Sequence, residues 1–407
     1  MSRVDELIEE LAPQGVQIKT LGDVGDFIRG NGLQKTDLTD QGVPAIHYGQ
    51  IHTHYGIWTS TAKSFTRPAL AAKLRRAKPG DLVIATTSED DAAVAKATAW
   101  IGDEEVAISG DAYIYRHSLD PRYISYFFQS DQFQGQKTRH ISGTKVRRIS
   151  GTSLAKIRIP VPPLEVQREI VRILDQFTQL EAELEAELEA RRRQYEHYRT
   201  RAFDFSADID VRWSTLGEIS TRVSSGATPK AGAPEYYDGG TIPWLRTGEV
   251  TFGEIWDTEM KITDRALKET GASWIKENCV IVAISGATAA RSAINKIPLT
   301  TNQHCCNLQI DDAQANYRYV FFWVSSKYEE LKAFGRGARS DLNAKLIKDF
   351  PIPVPSLDEQ RRIVSLLDKF DALVNGLSVG LPAELAARRK QYEYYRDRLL
   401  TFEEAAA

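Results

Sequence analysis

The chain contains two copies of one unit, and this internal repeat limits the folds that it can adopt. The segment IPVPPLEVQREIVRILDQF at 159–177 returns as IPVPSLDEQRRIVSLLDKF at 352–370, an offset of 193 residues. RRRQYEHYR at 191–199 returns as RRKQYEYYR at 388–396, an offset of 197 residues, so the second copy has four extra residues between these motifs. A shorter match, TLGDV at 20–24 and TLGEI at 215–219, opens each copy. Three matches in the same order indicate a duplication.

Each copy combines a strand-rich domain with a long helix, which predicts an α+β fold with two duplicated domains. Short apolar runs bounded by turn residues, such as LVIAT at 82–86 and CVIVAI at 279–284, predict strands. The aromatic segments 123–128 and 317–323 predict buried helices late in each domain. The Pro-rich segments that follow cannot be helical, so they predict a hinge at the end of each domain.

A long helix is predicted after each hinge. Apolar residues recur at helical spacing from Ile170 to Tyr198 and form a narrow stripe, so we expect the two long helices to pack against each other. The sequence GLP at 380–382 predicts an interruption in the second helix, because proline breaks the helical hydrogen-bond ladder. The predicted segments are a short N-terminal helix at 1–16, the first domain at 17–163, its helix at 164–203, the second domain at 204–355 and its helix at 356–402.

Composition and motifs point away from membranes and from catalysis. No apolar run approaches the roughly 20 residues that span a bilayer, and three cysteines do not make a disulfide framework, so we expect a cytoplasmic protein. We find no phosphate-binding GxxxxGK[ST] motif and no Asn/Asp-Pro-Pro-aromatic tetrapeptide. His304-Cys305-Cys306 has no second ligand pair at zinc spacing, so a buried strand end is expected there rather than a metal site. The chain therefore looks like a binding protein without catalytic residues.

Polar clusters at corresponding places in the two domains suggest contact with DNA. Residues 137–148 contain five Lys and Arg residues and no acid, and residues 335–343 are also basic and contain glycine. Arginine can bind guanine with two hydrogen bonds, amides pair with adenine, and flexible loops let backbone N–H groups approach phosphates. A solvated loop would account for one such cluster, but two at equivalent places favour binding. The net charge of −3 requires any DNA-binding surface to be a local concentration of basic groups. The candidate DNA-binding residues are Lys137, Arg139, His140, Thr144, Lys145, Arg147, Arg148, Lys230, Arg246, Asn302, Gln303, His304, Arg336, Arg339, Ser340 and Asn343.

A second set of candidate residues lies in the repeated helical motifs. Their recurrence in both copies is explained either by packing between the helices or by a surface for a protein partner. These residues are Gln167, Arg168, Phe177, Gln194, Tyr195, Tyr198, Gln360, Arg361, Phe370, Gln391, Tyr392 and Tyr395.

The two IPVP hinges, the Gln-Arg pairs at 167–168 and 360–361, the GLPAEL segment at 380–385, the RRKQYEYYR motif and TNQ at 301–303 resemble the DNA specificity subunit of type I restriction–modification systems. The resemblance implies two target-recognition domains, each recognising one half of a bipartite site in double-stranded DNA. It also implies that the helices form an antiparallel coiled coil that docks two adenine methyltransferase subunits and is joined by a restriction/translocase subunit. S-adenosylmethionine, ATP and Mg would then be bound by the partners. Because AISGD at 107–111 stands where the second domain has TTNQH at 300–304, base contacts cannot be transferred between domains, and an asymmetric target is expected.

The first helix also contains a tandem repeat, LEAE at 180–183 and 184–187 followed by LEAR at 188–191, which resembles the spacer-setting repeats of some family members. One four-residue unit lengthens a helix by about 6 Å, so each unit is expected to change the unrecognised gap in the target by one or two base pairs.

Two other functions fit parts of the sequence. The acidic net charge fits an adaptor with two protein-binding domains on a coiled-coil strut, and salt-sensitive binding to duplex DNA would distinguish it from a specificity subunit. A self-contained methylating or cleaving enzyme is disfavoured by the missing motifs, and methyl transfer by the isolated chain would support it.

Overall fold

The computed structural model describes residues 2–205, 211–335, 341–376 and 379–405. Two compact units are present, one made of Met1–Glu185 with Glu384–Ala407 and the other of Ala186–Ala383. The boundaries of these units fall inside both predicted long helices, so each unit contains part of both.

The first unit contains two mixed sheets. Its elements, with the whole of the long helix, are α1 (Arg3–Leu11), β1 (Gln17–Thr20), α2 (Leu21–Val24), β2 (Gly25–Arg29), β3 (Val43–Ile46), α3 (Tyr48–Thr53), β4 (Trp58–Thr59), β5 (Ser64–Thr66), α4 (Pro68–Ala71), β6 (Arg76–Ala77), β7 (Leu82–Ala85), β8 (Thr87–Ser88), β9 (Ala97–Trp100), β10 (Val106–Ile108), β11 (Ala112–His117), α5 (Pro121–Phe127), α6 (Asp131–Lys137), β12 (Arg147–Arg148), α7 (Gly151–Leu154), β13 (Arg158–Val161) and α8 (Leu164–Ala202). The strand orders are β2-β11-β7-β9-β4 and β5-β3-β10-β6. β7 and β9 are buried along their whole length, as expected from the continuous apolar sequence LVIA of β7.

The second unit repeats this topology. Its further elements are β14 (Arg212–Thr215), β15 (Ser220–Ser225), α9 (Pro234–Tyr237), β16 (Ile242–Leu245), β17 (Glu254–Ile255), β18 (Met260–Ile262), α10 (Asp264–Glu269), β19 (Val280–Ala283), β20 (Ser292–Asn295), β21 (Thr300–Thr301), β22 (Cys305–Ile310), α11 (Tyr317–Ser326), α12 (Tyr328–Ala333), α13 (Ala344–Lys348), β23 (Pro351–Val354) and α14 (Leu357–Asn375), while α15 (Leu381–Leu399) belongs mainly to the first unit. Its five-stranded sheet, β15-β22-β19-β20-β17, has the same strand order as that of the first unit. The sheet β18-β16-β21 corresponds to β5-β3-β10, without a counterpart of β6 among the described strands.

The Pro-rich hinges are β-strands. β13 pairs antiparallel with β1, and β23 pairs in the same way with β14, so the strand that ends each domain is bonded to the strand that begins it. Proline is tolerated here because each sheet has only two strands, so a proline nitrogen need not donate a ladder bond.

A buried glutamine fixes the helix that follows each hinge. Gln167 accepts a hydrogen bond from the Asp120 backbone N–H at 2.8 Å and donates to the Pro162 carbonyl at 2.7 Å. Gln360 repeats both bonds, with the Asn316 N–H at 2.8 Å and the Pro355 carbonyl at 2.9 Å. Both side chains are almost fully buried, so the repeated Gln serves the joint between domain and helix.

The long helices pack in pairs within each unit. In the first unit Phe177 of α8 stacks on Tyr395 of α15, with ring centroids 5.5 Å apart and planes at 25°. The second unit repeats this pair as Phe370 of α14 on Tyr198 of α8, at 5.2 Å and 29°. Positions further along α8 contact earlier positions of α15, as in the ion pair between Arg389 and Glu181, so this pair is antiparallel. The structure confirms the expected coiled-coil packing.

The interruption in the second helix is also confirmed. α14 ends at Asn375 and α15 begins at Leu381, with Pro382 in the first turn of α15, where its missing N–H needs no partner. Gly380 has φ +105°, and a Cβ there would lie 2.4 Å from the Ala372 carbonyl oxygen, so glycine is required at the break.

Candidate nucleic-acid interface

Residues 139–148, here called the basic segment, lie on the surface of the first unit beside an acidic loop. Within this segment β12 pairs antiparallel with β8, with Arg147 opposite Ser88. The guanidinium of Arg147 lies 2.8 Å from a carboxylate oxygen of Asp91 and donates to the Gly143 carbonyl at 2.6 Å. Of the candidate residues in this segment, His140 and Arg147 are half-buried. The exposed ones are Arg139, Thr144, Lys145 and Arg148. Because Glu89, Asp90 and Asp91 follow β8, part of the positive charge of the segment is balanced locally.

Lys137 does not belong to this surface, which corrects the expectation from the sequence. Its side chain is 1% exposed, and its ammonium donates 3.0 Å hydrogen bonds to the carbonyls of Ala92 and Val94. Burial lowers the pKa of Lys137 to about 8. The ammonium therefore closes the loop that follows β8, and it is not available to a ligand.

The corresponding cluster of the second domain is only partly described. Arg336, Arg339 and Ser340 lie outside the described residues. Asn343 is exposed and caps α13, since its side-chain oxygen accepts from the Leu346 N–H at 2.9 Å.

Other candidates of the second unit meet at the ends of two parallel strands. β16 and β21 are parallel, so Arg246 and Asn302, which follow them, leave the sheet at the same edge. Asn302 is 8% exposed, and its side chain accepts from the His304 N–H at 3.1 Å, so it holds the turn and is corrected from a contact residue to a positioning residue. Gln303 and His304 are exposed, with the Gln303 amide nitrogen 3.1 Å from His304 Nε2.

Two neighbouring basic side chains extend this edge. Arg246 is exposed and forms a 2.7 Å ion pair with Glu259. Lys230 is exposed in the loop after β15, and Thr228 of that loop is hydrogen-bonded to Gln303. The structure thus brings Lys230, Arg246, Gln303 and His304 to one side of the second unit.

The first unit has a cleft at the equivalent place. β3 and β10 are parallel, and the residues after them line, with the loop after β2, a cavity of about 570 Å³ that we call the strand-end cleft. It is lined by Arg29, Gly30, Leu33, Gln34, Lys35, His47, Tyr48, Ser109, Gly110 and Asp111. Ser109 is buried and accepts from the Tyr48 N–H at 2.8 Å, so it fixes the turn after β3. A Cβ on Gly30 would lie 2.1 Å from the Ser109 carbonyl oxygen, so only glycine allows this close approach of the two loops.

The charge and hydrogen-bonding groups of the strand-end cleft are mixed. Arg29 donates to the Gly110 carbonyl at 3.0 Å and lies 3.7 Å from a carboxylate oxygen of Asp111, while Lys35 is exposed. Partial burial lowers the pKa of His47, against an opposing effect of Asp111, which favours the neutral ring. Its Nδ1 accepts from the Gly49 N–H at 3.2 Å, which leaves the proton of the neutral ring on Nε2 as a donor.

Sequence inspection missed the strand-end cleft because its residues are spread over 29–111 and form no local cluster. The sequence did contain one indication of this site. AISGD at 107–111 and TTNQH at 300–304 differ between the two copies, and these segments include the turns after β10 and β21. β10 pairs in parallel with β3, and β21 pairs in parallel with β16. His47 follows β3 and Arg246 follows β16, so His47 is the counterpart of Arg246.

The candidate residues of the helices divide into packing and exposed positions. Besides the two stacked pairs, Tyr195 lies 6.2 Å from the Phe370 ring and Tyr392 lies 6.5 Å from the Tyr126 ring. Arg168, Arg361 and Gln391 are exposed, and Gln194 is half-buried.

The cysteines confirm the expected buried strand: Cys305 and Cys306 are buried on β22, and burial raises the pKa of both thiols to about 12. Among the residues that the structure describes, no group of three or more His, Cys, Asp or Glu side chains could hold a metal ion. None of the described helices is both long and apolar enough to cross a membrane.

Comparison with protein families gives two matches in the chain. The model of the type I restriction modification DNA specificity domain matches residues 13–190 and again residues 209–387. The specificity subunit of the Escherichia coli type I restriction enzyme EcoR124I/EcoR124II is 37% identical over 258 residues, which are 61% of this chain and 63% of that protein. A putative type I restriction enzyme specificity subunit of Haemophilus influenzae, S.HindORF215P, is 32% identical over 264 residues, 61% of this chain and 65% of that protein. These matches span less than two thirds of either relative.

Solved structures share the fold over nearly the whole chain. The type I restriction-modification S subunit from M. genitalium superposes with a TM-score of 0.55 at 16% identity, covering 95% of this chain and 96% of that one. The HsdS subunit from Thermoanaerobacter tengcongensis gives a TM-score of 0.54 at 17% identity, covering 96% and 97%. At these identities the likeness establishes the fold.

Proposed function

Because the chain belongs to the type I restriction modification DNA specificity domain family, we propose that it selects the DNA target of a type I restriction–modification complex. The target is an asymmetric bipartite sequence, with one half-site recognised by each unit. The duplicated fold carries this proposal: both units have the same order of strands in the five-stranded sheet and the same Gln joint, but different side chains after β10 and β21. A duplicated scaffold with divergent surfaces suits the recognition of two different sequences on one duplex.

The DNA-facing parts of the chain are the two domains at 17–163 and 204–355. Exposed basic and amide groups contact phosphates and bases there, so affinity falls steeply with salt although the net charge is −3. We assign this role to the exposed Arg139, Thr144, Lys145, Arg148, Lys230, Arg246, Gln303, His304 and Asn343, to the half-buried His140 and Arg147, and, from the sequence alone, to Arg336, Arg339 and Ser340.

The helices at 164–203 and 356–402 dock the partner proteins. Exposed Arg168 and Arg361 occupy equivalent positions after the two hinges, which supports two equivalent docking places for two adenine methyltransferase subunits. A restriction/translocase subunit completes the complex. The chain itself is non-catalytic, and S-adenosylmethionine, ATP and Mg bind to the partners.

Sequencing of modified adenine in the host genome tests this function. The wild-type gene is expected to produce methylation at a bipartite, asymmetric motif that disappears when the gene is deleted and returns when it is restored. An unchanged methylation pattern after deletion would refute the proposal and favour the adaptor function.

A further inference from the structure

We propose that the first unit recognises base edges of duplex DNA with the strand-end cleft, and that the basic segment contributes only contacts to phosphate. This inference rests on the proposed function and adds to it the location of sequence recognition within the first unit.

The topology of the two units supports this location. Ser109 donates its backbone N–H to the Ile46 carbonyl at 3.2 Å, and Asn302 donates to the Leu245 carbonyl at 2.9 Å, so the turns after β10 and β21 are held in the same way against the preceding parallel strand. The residue that follows each carbonyl is His47 in the first unit and Arg246 in the second. The strand-end cleft is therefore the counterpart of the edge that gathers Arg246, Gln303 and His304.

Both edges have a rigid base beneath exposed polar groups. Ser109 and Asn302 are buried, and each accepts a hydrogen bond from a backbone N–H of the edge. Base discrimination needs donors and acceptors at fixed positions, because a misplaced group can accommodate the wrong base. Turns fixed by buried side chains provide such positions.

The groups in the strand-end cleft match those of base edges. Neutral His47 presents an Nε2–H donor, and Lys35 presents a cation that binds the N7 and O6 acceptors of guanine. The carboxylate of Asp111, held near Arg29, is an acceptor of the kind that pairs with the cytosine amino group. A cavity of about 570 Å³ has room for the edges of bases rather than for a phosphate alone.

The basic segment lacks these properties. Arg147 is occupied by Asp91 and the Gly143 carbonyl. Lys145 is exposed in the turn before β12, and Arg148 is exposed on β12 itself. Exposed cations of this kind bind the uniform phosphate backbone well but do not distinguish sequences.

The test uses the complete complex in the host, with the gene replaced by variants and the methylated motif determined by sequencing. Lys35→Ala removes an exposed cation, and His47→Asn replaces the donor while retaining a side chain that can cap α3. The matched control is Lys145→Ala with Arg148→Ala, which removes two exposed charges from the basic segment of the same unit. Thermal melting of each purified variant excludes a folding defect.

We expect Lys35→Ala and His47→Asn to relax one half-site, with roughly tenfold more methylation at sites that carry one mismatch there, and to leave the other half-site unchanged. The control double variant is expected to lower methylation at all sites without changing the motif. A motif that is unchanged in the cleft variants, or a half-site that changes in the control, overturns the inference while leaving the proposed function intact. Absence of any motif with the wild-type gene overturns both.

Discussion

Deletion of residues 184–187 tests how the tandem repeat sets the target. These residues are the second LEAE unit of α8, and the boundary between the two compact units falls inside it, between Glu185 and Ala186. Four residues fewer shorten α8 by about 6 Å and rotate one end relative to the other by roughly 400°, which is about 40° beyond a full turn. At about 3.4 Å per base pair, the unrecognised gap is expected to shrink by one or two base pairs.

The contacts of α8 predict that the deletion is tolerated. Arg389 of α15 forms ion pairs with Glu181, at 2.6 Å, and with Glu185 one repeat unit later. After the deletion Glu189 follows Glu181 at the same spacing, so the guanidinium still faces two carboxylates. Leu188 likewise replaces Leu184 on the packed side of the helix. The helix surface presented to α15 is therefore nearly unchanged, and only its length differs.

The assay is the methylated motif of the deletion variant in the host. Both half-sites are expected to stay the same while the gap between them shortens. The matched control deletes only residues 184–186, which rotates the helix by about 300° and moves a glutamate towards the packed side, so it should abolish or strongly reduce methylation. An unchanged gap in the four-residue deletion would refute the role of the repeat.

Three further predictions concern the surface and the joints. Lys137→Met should change the pH dependence of stability. In the wild type the pKa of Lys137 is about 8, below the usual value of about 10.4, so between these values the unfolded chain binds more protons than the folded chain. From pH 8 to 10.4, the free energy of unfolding of the wild type should therefore rise relative to that of the variant by up to about 3 kcal/mol, as measured by guanidinium unfolding. A difference between wild type and Lys137→Met that stays flat over this pH range would contradict the burial of Lys137. Gln167→Leu and Gln360→Leu should each lower the free energy of unfolding by about 1–3 kcal/mol, because they leave buried backbone groups without hydrogen-bond partners. Clearly unequal losses of stability in urea unfolding would argue against equivalent joints. Lys145→Ala with Arg148→Ala should reduce the salt dependence of duplex binding by about two counterions, whereas an unaltered slope in a titration would exclude both from phosphate contact.

The repeated and periodic parts of the fold were predictable from the sequence. The two hinges, the buried aromatic helices α5 and α11, and the break before α15 depend on residues close together in the chain, so local patterns identify them. Pairing of the hinge strands with residues 17–20 and 212–215 was not predicted, because contacts between segments more than 100 residues apart leave no local pattern.

The candidate site was less accessible to sequence reasoning. A run of basic residues does not indicate which side chain is buried. Lys137 is buried because its ammonium donates hydrogen bonds to the carbonyls of Ala92 and Val94, which lie more than 40 residues earlier in the chain. His47 and Ser109 are brought together only by the parallel pairing of β3 with β10. Predicting that edge would have required the topology of the sheet.

The division of the chain into units has a consequence for its synthesis. Tyr392 and Leu400 belong to the hydrophobic core of the first unit, whereas residues 186–383 form the second unit as one continuous stretch. At about 5–20 residues per second, roughly 10–45 s pass on the ribosome between the appearance of residue 185 and that of the α15 segment. During this time the second unit can complete its core, while Phe177 of α8 in the first unit still lacks its partner Tyr395 of α15. We therefore expect the half of the protein that is made first to finish folding last, with the apolar side of α8 exposed until α15 emerges.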